Sequence, residues 1–358
     1  MRYPRVSIII LNWNGWRDTV ECLESLYRIT YPNYDVIVVD NGSKDDSIEK
    51  IKEYAEGKLK VNSKFFEYTL NNKPIKVFEI SEDDAREGKF NRPLYEKFDP
   101  DRRIILLKNK DNYGFAGGNN VGIKFALSVL NSDYILLLNN DTVVDRRFLD
   151  ELVKVAESDD RIGIVGSKIY YYNFNGRIDI IQFGGQRLNM FSGVGKVLYK
   201  NWIDNNINGV IESDVINGAS MLISRKVFDE IGLFYEPYFL YFEETDFCVR
   251  AKRSGYKSVV CMGSRVWHKV GASTGGNITS VSFYYFIKNR FRFLKRTLNP
   301  LPLTIATIYL FLIRLWVDLV YSLNKSAQKK RMLILFLRGL HEGIEVLFKE
   351  KRLEQPEL

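Results

Sequence analysis

The chain has 358 residues, 46% of them hydrophobic and 27% charged, a balance that can bury one large core plus a smaller unit and excludes a disordered or fibrous polymer. The formal net charge is +8, and the whole excess lies from Gly276 onward; a neutral main body argues against a nucleic-acid-binding domain, whereas a basic tail suits an anionic membrane surface. Three cysteines, Cys22, Cys248 and Cys261, without C-x-x-C spacing indicate neither a disulfide framework nor a thiolate metal site, and with no signal peptide ahead of the first strand the expected location is cytoplasmic.

Residues 6–11 form a β-branched run expected as a buried strand, broken by Asn12-Trp13-Asn14-Gly15. A helix over 17–28 follows, with Val20, Leu23, Leu26 and Tyr27 on one face. A second strand over 34–40 ends at Asp40-Asn41-Gly42-Ser43, and 46–55 can form the next helix. Strand and helix alternate, which is the pattern of a parallel sheet with right-handed crossovers. Residues 57–102 interrupt it. Stretches 64–70 and 75–80 read as a hairpin and 81–92 as a charged surface loop, together an insertion with a structural or partner-contacting rather than catalytic role.

The rhythm resumes with a strand over 103–107, the segment from Asn112 through Gly114 to Asn119 and Asn120, and a helix over 119–130. Ile135 to Leu138 is apolar without alternation, so it is expected to be buried on both faces. It ends at Asn139, Asn140 and Asp141, at the carboxyl edge where open α/β sheets place ligands; Asp141 as the cap of a helix over 144–158 is the competing account. Residues 170–214 suggest short antiparallel strands and loops over one sheet edge. Gly218-Ala219-Ser220 precedes Phe242-Glu243-Glu244-Thr245-Asp246, where two acids enter a helix ending near Gly255, with Thr245 or Asp246 available to cap it. A strand over 257–261 and Val266-Trp267-His268 follow.

Most polar clusters fall just after a parallel strand and so gather along one edge. There Asp40 can accept hydrogen bonds from a base or ribose, and glycine-rich turns admit a diphosphate. No G-x-G-x-x-G follows the first strand and no G-x-x-x-x-G-K-[ST] occurs. A nucleoside diphosphate calls for a divalent cation held by oxygen or imidazole groups. Asp141 offers one and His268 the other, although a lone histidine is more often structural.

The string Asp40-Asn41-Gly42-Ser43, Asn112-x-Gly114-Phe-Ala-Gly-Gly-Asn119-Asn120, Leu138-Asn139-Asn140-Asp141, Gly218-Ala219-Ser220, Phe242-Glu243-Glu244-Thr245-Asp246 and Trp267-His268 resembles the inverting glycosyltransferases of family 2, closest to the rhamnosyl- and galactofuranosyltransferase-like branch. The likeness spans residues 5–273. It implies an α/β GT-A fold, a nucleotide-diphospho-sugar donor, a glycan or lipid-linked acceptor, and Mg2+ or Mn2+. By position, Asn12, Trp13, Asp40, Asn41, Asn112, Gly114, Asn119, Asn139 and Asn140 would surround the nucleotide sugar, Asp141 and His268 would bind metal, Gly218 and Ala219 would lie on the acceptor side, and Glu243 with Glu244 would form the acid pair, Glu244 being the general base. Two departures stand out. Asn139 occupies the first position of the family's D-x-D element, and Glu244 replaces the usual aspartate, an extra methylene that leaves base chemistry intact. A nucleotidyltransferase and a catalytically silent sugar-nucleotide or glycan-binding module are the rival classes; the first lacks a basic glycine-rich signature after the first strand, and the second does not explain Asp141, Glu244 and His268 together.

The expected division is a catalytic domain over 1–275 and a basic helical region over 276–358. Within the latter, residues 303–313 are uncharged, Arg314 and Asp318 interrupt their extension, and a bilayer takes about 20 apolar residues to span. Basic residues on both sides, Lys288 to Arg296 and Lys325 to Arg331, suit a helix lying among anionic headgroups, at the inner face of the cell membrane. Packing on the catalytic domain or a homodimer contact are the alternatives.

Overall fold

The computed structural model describes residues 3–269, 280–325 and 329–350; the boundary expected at 275/276 lies outside them. The strands are β1 (Val6–Asn12), β2 (Tyr34–Asp40), β3 (Lys76–Ser81), β4 (Arg103–Lys108), β5 (Tyr134–Asn139), β6 (Thr142–Val144), β7 (Ile162–Tyr171), β8 (Ile181–Phe183), β9 (Gln186–Asn189), β10 (Val194–Val197), β11 (Val210–Glu212), β12 (Ser220–Ser224) and β13 (Lys257–His268). The helices are α1 (Trp16–Leu26), α2 (Ser47–Ala55), α3 (Glu82–Glu87), α4 (Arg92–Tyr95), α5 (Gly114–Phe125), α6 (Phe148–Ala156), α7 (Arg225–Ile231), α8 (Glu243–Arg253), α9 (Ser280–Thr297), α10 (Pro300–Tyr309), α11 (Leu315–Lys325) and α12 (Lys329–Lys349).

One sheet runs β11-β13-β7-β12-β5-β1-β2-β4-β3. The segment β5-β1-β2-β4-β3 is parallel throughout, and β12 enters antiparallel between β5 and β7. Side chains alternate across the pleat, so Ile8, Ile10, Val36, Val38, Leu136 and Leu138 face α1, α2 and α6, while Ile9, Ile37, Val39 and Leu137 face α5, α7 and α8. Both faces are covered, which is why these strands are uninterrupted apolar runs. A third cluster, with Tyr238, Phe242, Phe291, Phe293, Leu310 and Phe336, joins α9 to α12 to the start of α8.

The insertion differs from its sequence reading. Residues 64–70 form no strand, and β3 pairs in parallel with β4 at the sheet edge instead of closing a hairpin. The charged run is α3, whose first turn is capped by Ser81 Oγ accepting from Asp84 N at 3.1 Å. The end of the insertion is bolted to the core, since Tyr95 Oη and Arg103 Nη2 both donate to Asp35 Oδ1 at 3.0 Å. Two helix starts also moved. α5 begins at Gly114 rather than 119, and a short strand, β6, occupies 142–144, so α6 begins only at Phe148 and Asp141 caps no helix.

In the tail, α10 continues through a wider turn (Leu310–Arg314) into α11, and the stretch Pro300–Tyr321 is long and apolar enough to cross a membrane by length and composition. Arg314 and Asp318, expected to interrupt it, pair with one another at 2.7 Å, and Arg290 Nη1 of α9 joins Asp318 at 2.6 Å. Ala306, Leu310, Leu315 and Leu319 are buried, whereas Leu301, Ile305, Ile308, Leu312, Trp316 and Val320 are exposed.

Candidate active site

The carboxyl ends of β1 and β2 are tied by side chains. Asn12 Nδ2 donates to Asp40 Oδ1 at 2.8 Å, Thr19 Oγ1 donates to Asn12 Oδ1 at 2.8 Å, and Ser43 N donates to the second Asp40 oxygen at 3.1 Å. Asn12 is thus fully buried and spent on orienting Asp40; it does not face a ligand as its sequence position suggested. Trp13, in the loop that follows, is 47% exposed. Asn41 extends the network to the next crossover, its Nδ2 donating to Asn112 Oδ1 at 2.9 Å and its Oδ1 accepting from Asn109 Nδ2 at 3.0 Å. Asn112 Oδ1 also accepts from Gly114 N at 2.9 Å. Asn119, inside α5, turns back on Phe115 O at 2.9 Å and is buried in the helix packing. Gly114 has φ +70, and a Cβ there would lie 2.3 Å from Phe239 O, so only glycine fits.

β5 ends at Asn139, whose N–H donates to Ala219 O at 3.2 Å, while Asn140 Nδ2 reaches Thr19 Oγ1 at 3.1 Å. Past the turn, β6 pairs antiparallel with the end of β13 in the register Thr142↔His268, and Lys269 N donates to Asp141 O at 3.0 Å. That register brings two residues 127 positions apart in sequence together, and His268 Nε2 stands 3.1 Å from Asp141 Oδ1. Burial would raise the Asp141 carboxyl, but His268 and the charge of Lys269 outweigh it and hold it below the usual carboxylate value.

Whether this pair fits a divalent cation can be read from its donors. Gln182 Oε1 lies 3.0 Å from His268 Nδ1; with Nδ1–H donating there, the lone pair of Nε2 faces a carboxylate, an arrangement that calls for a proton or a metal between them. An imidazole nitrogen and a carboxylate oxygen are donor types that would suit Mg2+ or Mn2+. Among the described residues no cluster of three or more His, Cys, Asp or Glu forms.

The acid pair opens α8. Phe242, with φ 75, precedes Glu243 and Glu244, which are the first two helical residues. Glu244 packs against the backbone of Gly218, where a Cβ would lie 2.7 Å from Glu244 Oε1. Glu243 is buried and its Oε2 has no hydrogen-bond partner. Burial, with the neighbouring Glu244 charge second, pushes the Glu243 carboxyl well above its ordinary value, and burial raises Glu244 as well. Since Ala219 O accepts from Asn139 N and Glu244 packs against Gly218, the β12 entry lies between the Asp141 edge and the acid pair. Asp246, expected as a helix cap, lies a turn inside α8 and is fully buried against Arg250 and Arg296 at 2.9 and 3.1 Å.

The family model described as "Glycosyltransferase like family 2" matches residues 92–293, and "Glycosyl transferase family 2" matches residues 7–75. The chain belongs to glycosyltransferase family 2. Its sequence is similar to the "Low-salt glycan biosynthesis hexosyltransferase Agl10" of Haloferax volcanii, 29% identical over 52% of this chain, a match that spans 59% of that relative's length. It is also similar to the "dTDP-rhamnosyl transferase RfbF" of Shigella flexneri, 22% identical over 71% of this chain and 84% of that one. A mannosyltransferase from Pyrobaculum calidifontis, solved with GDP-Man and Mn2+, superposes with a TM-score of 0.54 at 14% identity, covering 98% of this chain and 89% of the other. The family 2 enzyme therefore has the GT-A fold. Three contributors to the site escaped the sequence reading: Asn109, which follows β4 and obeyed the strand-end rule; Lys269, which forms ion pairs with Asp18 and Glu21 at 2.5 and 2.6 Å; and Gln182, which no spacing marks.

Proposed function

We propose that the chain transfers a sugar from a nucleotide-diphospho-sugar donor to an acceptor hydroxyl with inversion, Glu244 acting as general base. The observation that carries this reading is the β12 entry, where Glu244 packs closely on Gly218 and the adjacent Ala219 O accepts from Asn139 N. Glu244 takes the proton of the hydroxyl, its raised proton affinity suiting a base. The hydroxyl oxygen bonds to the anomeric carbon from one face while the bond to the diphosphate oxygen breaks on the other, and the electron pair leaves with the nucleoside diphosphate. Buried Glu243 stays protonated beside it, sparing the site a second negative charge. Asp141 and His268 would hold Mg2+ or Mn2+, which when bound neutralises charge on the departing diphosphate. Asp40, held by Asn12 and Ser43, borders the nucleoside.

Glu244→Gln keeps size and hydrogen bonding but accepts no proton, so turnover should fall about 100-fold or more with nucleoside diphosphate binding unchanged. Turnover within a few-fold of the unmodified protein overturns the base assignment.

The acceptor is read as a hydroxyl on a lipid-linked glycan, met at an anionic membrane surface. Support comes from the helix pair α10–α11, which exposes Leu301, Ile305, Leu312 and Trp316 on one side and packs lengthwise on the protein with the other. Crossing a bilayer would strip off that packing, whereas lying in the interface buries only the exposed side. Full-length chain should co-sediment with vesicles containing anionic phospholipid, and Leu312→Glu with Trp316→Glu should release it. A full-length chain that stays in the supernatant refutes the membrane placement.

A further inference from the structure

Helix α9 lays one face along the segment that leads into the acid pair. Its residues 285, 286, 289, 292, 293 and 296 recur at helical spacing. Tyr285 stacks on Phe239 with ring centroids 5.1 Å apart, Phe286 meets Tyr241 and Phe242, and Phe293 meets Phe242. Arg292 Nη1 donates to Pro237 O at 2.8 Å, and Arg296 Nε to Asp246 Oδ1 at 3.1 Å.

Asn289 sits at the centre of this face with no solvent exposure. Its Nδ2 lies 2.6, 2.8 and 3.2 Å from the carbonyl oxygens of Tyr238, Leu240 and Tyr241. Arg292 settles the amide's orientation by donating to Asn289 Oδ1 at 2.7 Å, which leaves the NH2 group for the carbonyls. Those carbonyls converge because the backbone is unusual. Phe239, Tyr241 and Phe242 have φ of 60, 66 and 75, and bulky side chains hold the left-handed region only where their surroundings over-determine it. Phe239 O is engaged separately, by Phe115 N at 2.7 Å from the start of α5.

We propose that Asn289 is a positioning residue for the transfer reaction: by gathering three carbonyls of residues 238–241 it fixes the turn that starts α8, and so sets where Glu243 and Glu244 stand against Gly218. The inference rests on the reading of Glu244 as base. It also makes α9 part of the catalytic unit and not an appendage to it.

The test compares the full-length chain with Asn289→Ala, Asn289→Asp, Glu244→Gln and the double variant Asn289→Asp with Glu244→Gln. Turnover is read as nucleoside diphosphate released from whichever of a set of UDP-, dTDP- and GDP-sugars the unmodified protein consumes fastest. Binding is read by thermal shift with UDP, dTDP and GDP plus Mn2+. Aspartate keeps the volume and the Arg292 contact but turns a donor into an acceptor against three carbonyls. Both single Asn289 variants should therefore lose about tenfold or more in kcat, with diphosphate binding within about twofold. The double variant should be no slower than Glu244→Gln, because both changes act through one group. An aspartate variant with unmodified kcat would show that Asn289 only fills space, and losses that multiply would place its action elsewhere; either overturns the proposal. Glu244→Gln with unchanged kcat instead removes the base assignment, an outcome legible without Asn289. Should the variants fail to fold, hydrogen exchange of the unmodified chain decides: amides of 239–246 as protected as the middle of α8 support the role, and rapid exchange there refutes it.

Discussion

Replacing Asp246 by asparagine distinguishes two roles of very different size. Had it capped α8, the loss would be about 1 kcal/mol. In the structure it is fully buried, Oδ2 accepts from Arg250 Nε at 2.9 Å, and Oδ1 accepts from Arg296 Nε and Tyr238 Oη at 3.1 Å each. Arg250 is further pinned by donating to Ile231 O and Leu233 O at 2.6 and 2.8 Å, so its mostly enclosed guanidinium is held in place once its partner is neutral. Asparagine preserves the shape and leaves two enclosed positive charges without a counter-charge, and breaking a buried pair in this way costs about 3–5 kcal/mol. Urea denaturation followed by far-ultraviolet circular dichroism should show a lower midpoint with an unchanged slope. Because the pairs are shielded from solvent, the deficit should persist at high salt, unlike that of a surface bridge. A loss of 1 kcal/mol or less, or one that salt abolishes, refutes the account of Asp246 as the tie between α8 and α9.

Asp141→Asn and His268→Ala should each remove the Mn2+-dependent part of nucleoside diphosphate stabilisation while the apo melting temperature stays near that of the unmodified chain; stabilisation that survives both changes refutes the metal pair. Gly114→Ala forces a Cβ to within 2.3 Å of Phe239 O at φ +70, so turnover should collapse and thermal stability fall, and an alanine variant of normal activity would show that the α5 start and residues 238–242 are not in fixed contact. Glu243 binds its proton more tightly folded than unfolded, so the stability it contributes is full in acid and is lost as pH rises through its raised value. Glu243→Gln mimics the protonated form and should match the unmodified chain near pH 4 but exceed it in melting temperature at pH 8; equal temperatures at both pH values would refute the burial argument.

The sheet and its polar edge were legible in the sequence because both follow from local rules. A strand buried on both faces is an apolar run, and β1, β2, β4 and β5 appear where such runs do, each ending in the polar residues expected of a ligand edge. What stayed illegible depends on register or on distant partners. The pairing of β6 with β13 brings Asp141 to His268, yet Thr142 and Val143 fall in no element expected from the sequence and Val144 starts an expected helix, because a three-residue strand leaves no period to detect. The insertion misled because Asn71-Asn72-Lys73-Pro74 is good turn chemistry, whereas the edge position of β3 is decided by the neighbouring β4. Asp246 and Asn289 look like ordinary polar residues of helices until α8 and α9 are packed together.

The site's carboxyls shift in opposite directions, in keeping with the two roles proposed for them. Asp141 is buried beside a histidine and a lysine, and these keep it anionic, the state a cation ligand requires. Glu243 is buried and Glu244 half-buried beside it, neither forms an ion pair among the described residues, and desolvation raises both, which suits the proposed proton acceptor. Desolvation acts on all three carboxyls, and their different neighbours decide the direction of each shift. On the proposed reading the metal ligand and the base would not share counter-charges, since a cation beside Glu244 would lower its proton affinity and cost it basicity. The β12 entry connects the two with uncharged groups, because the Ala219 carbonyl accepts from Asn139 N and the absence of a side chain at Gly218 is what lets Glu244 come so close.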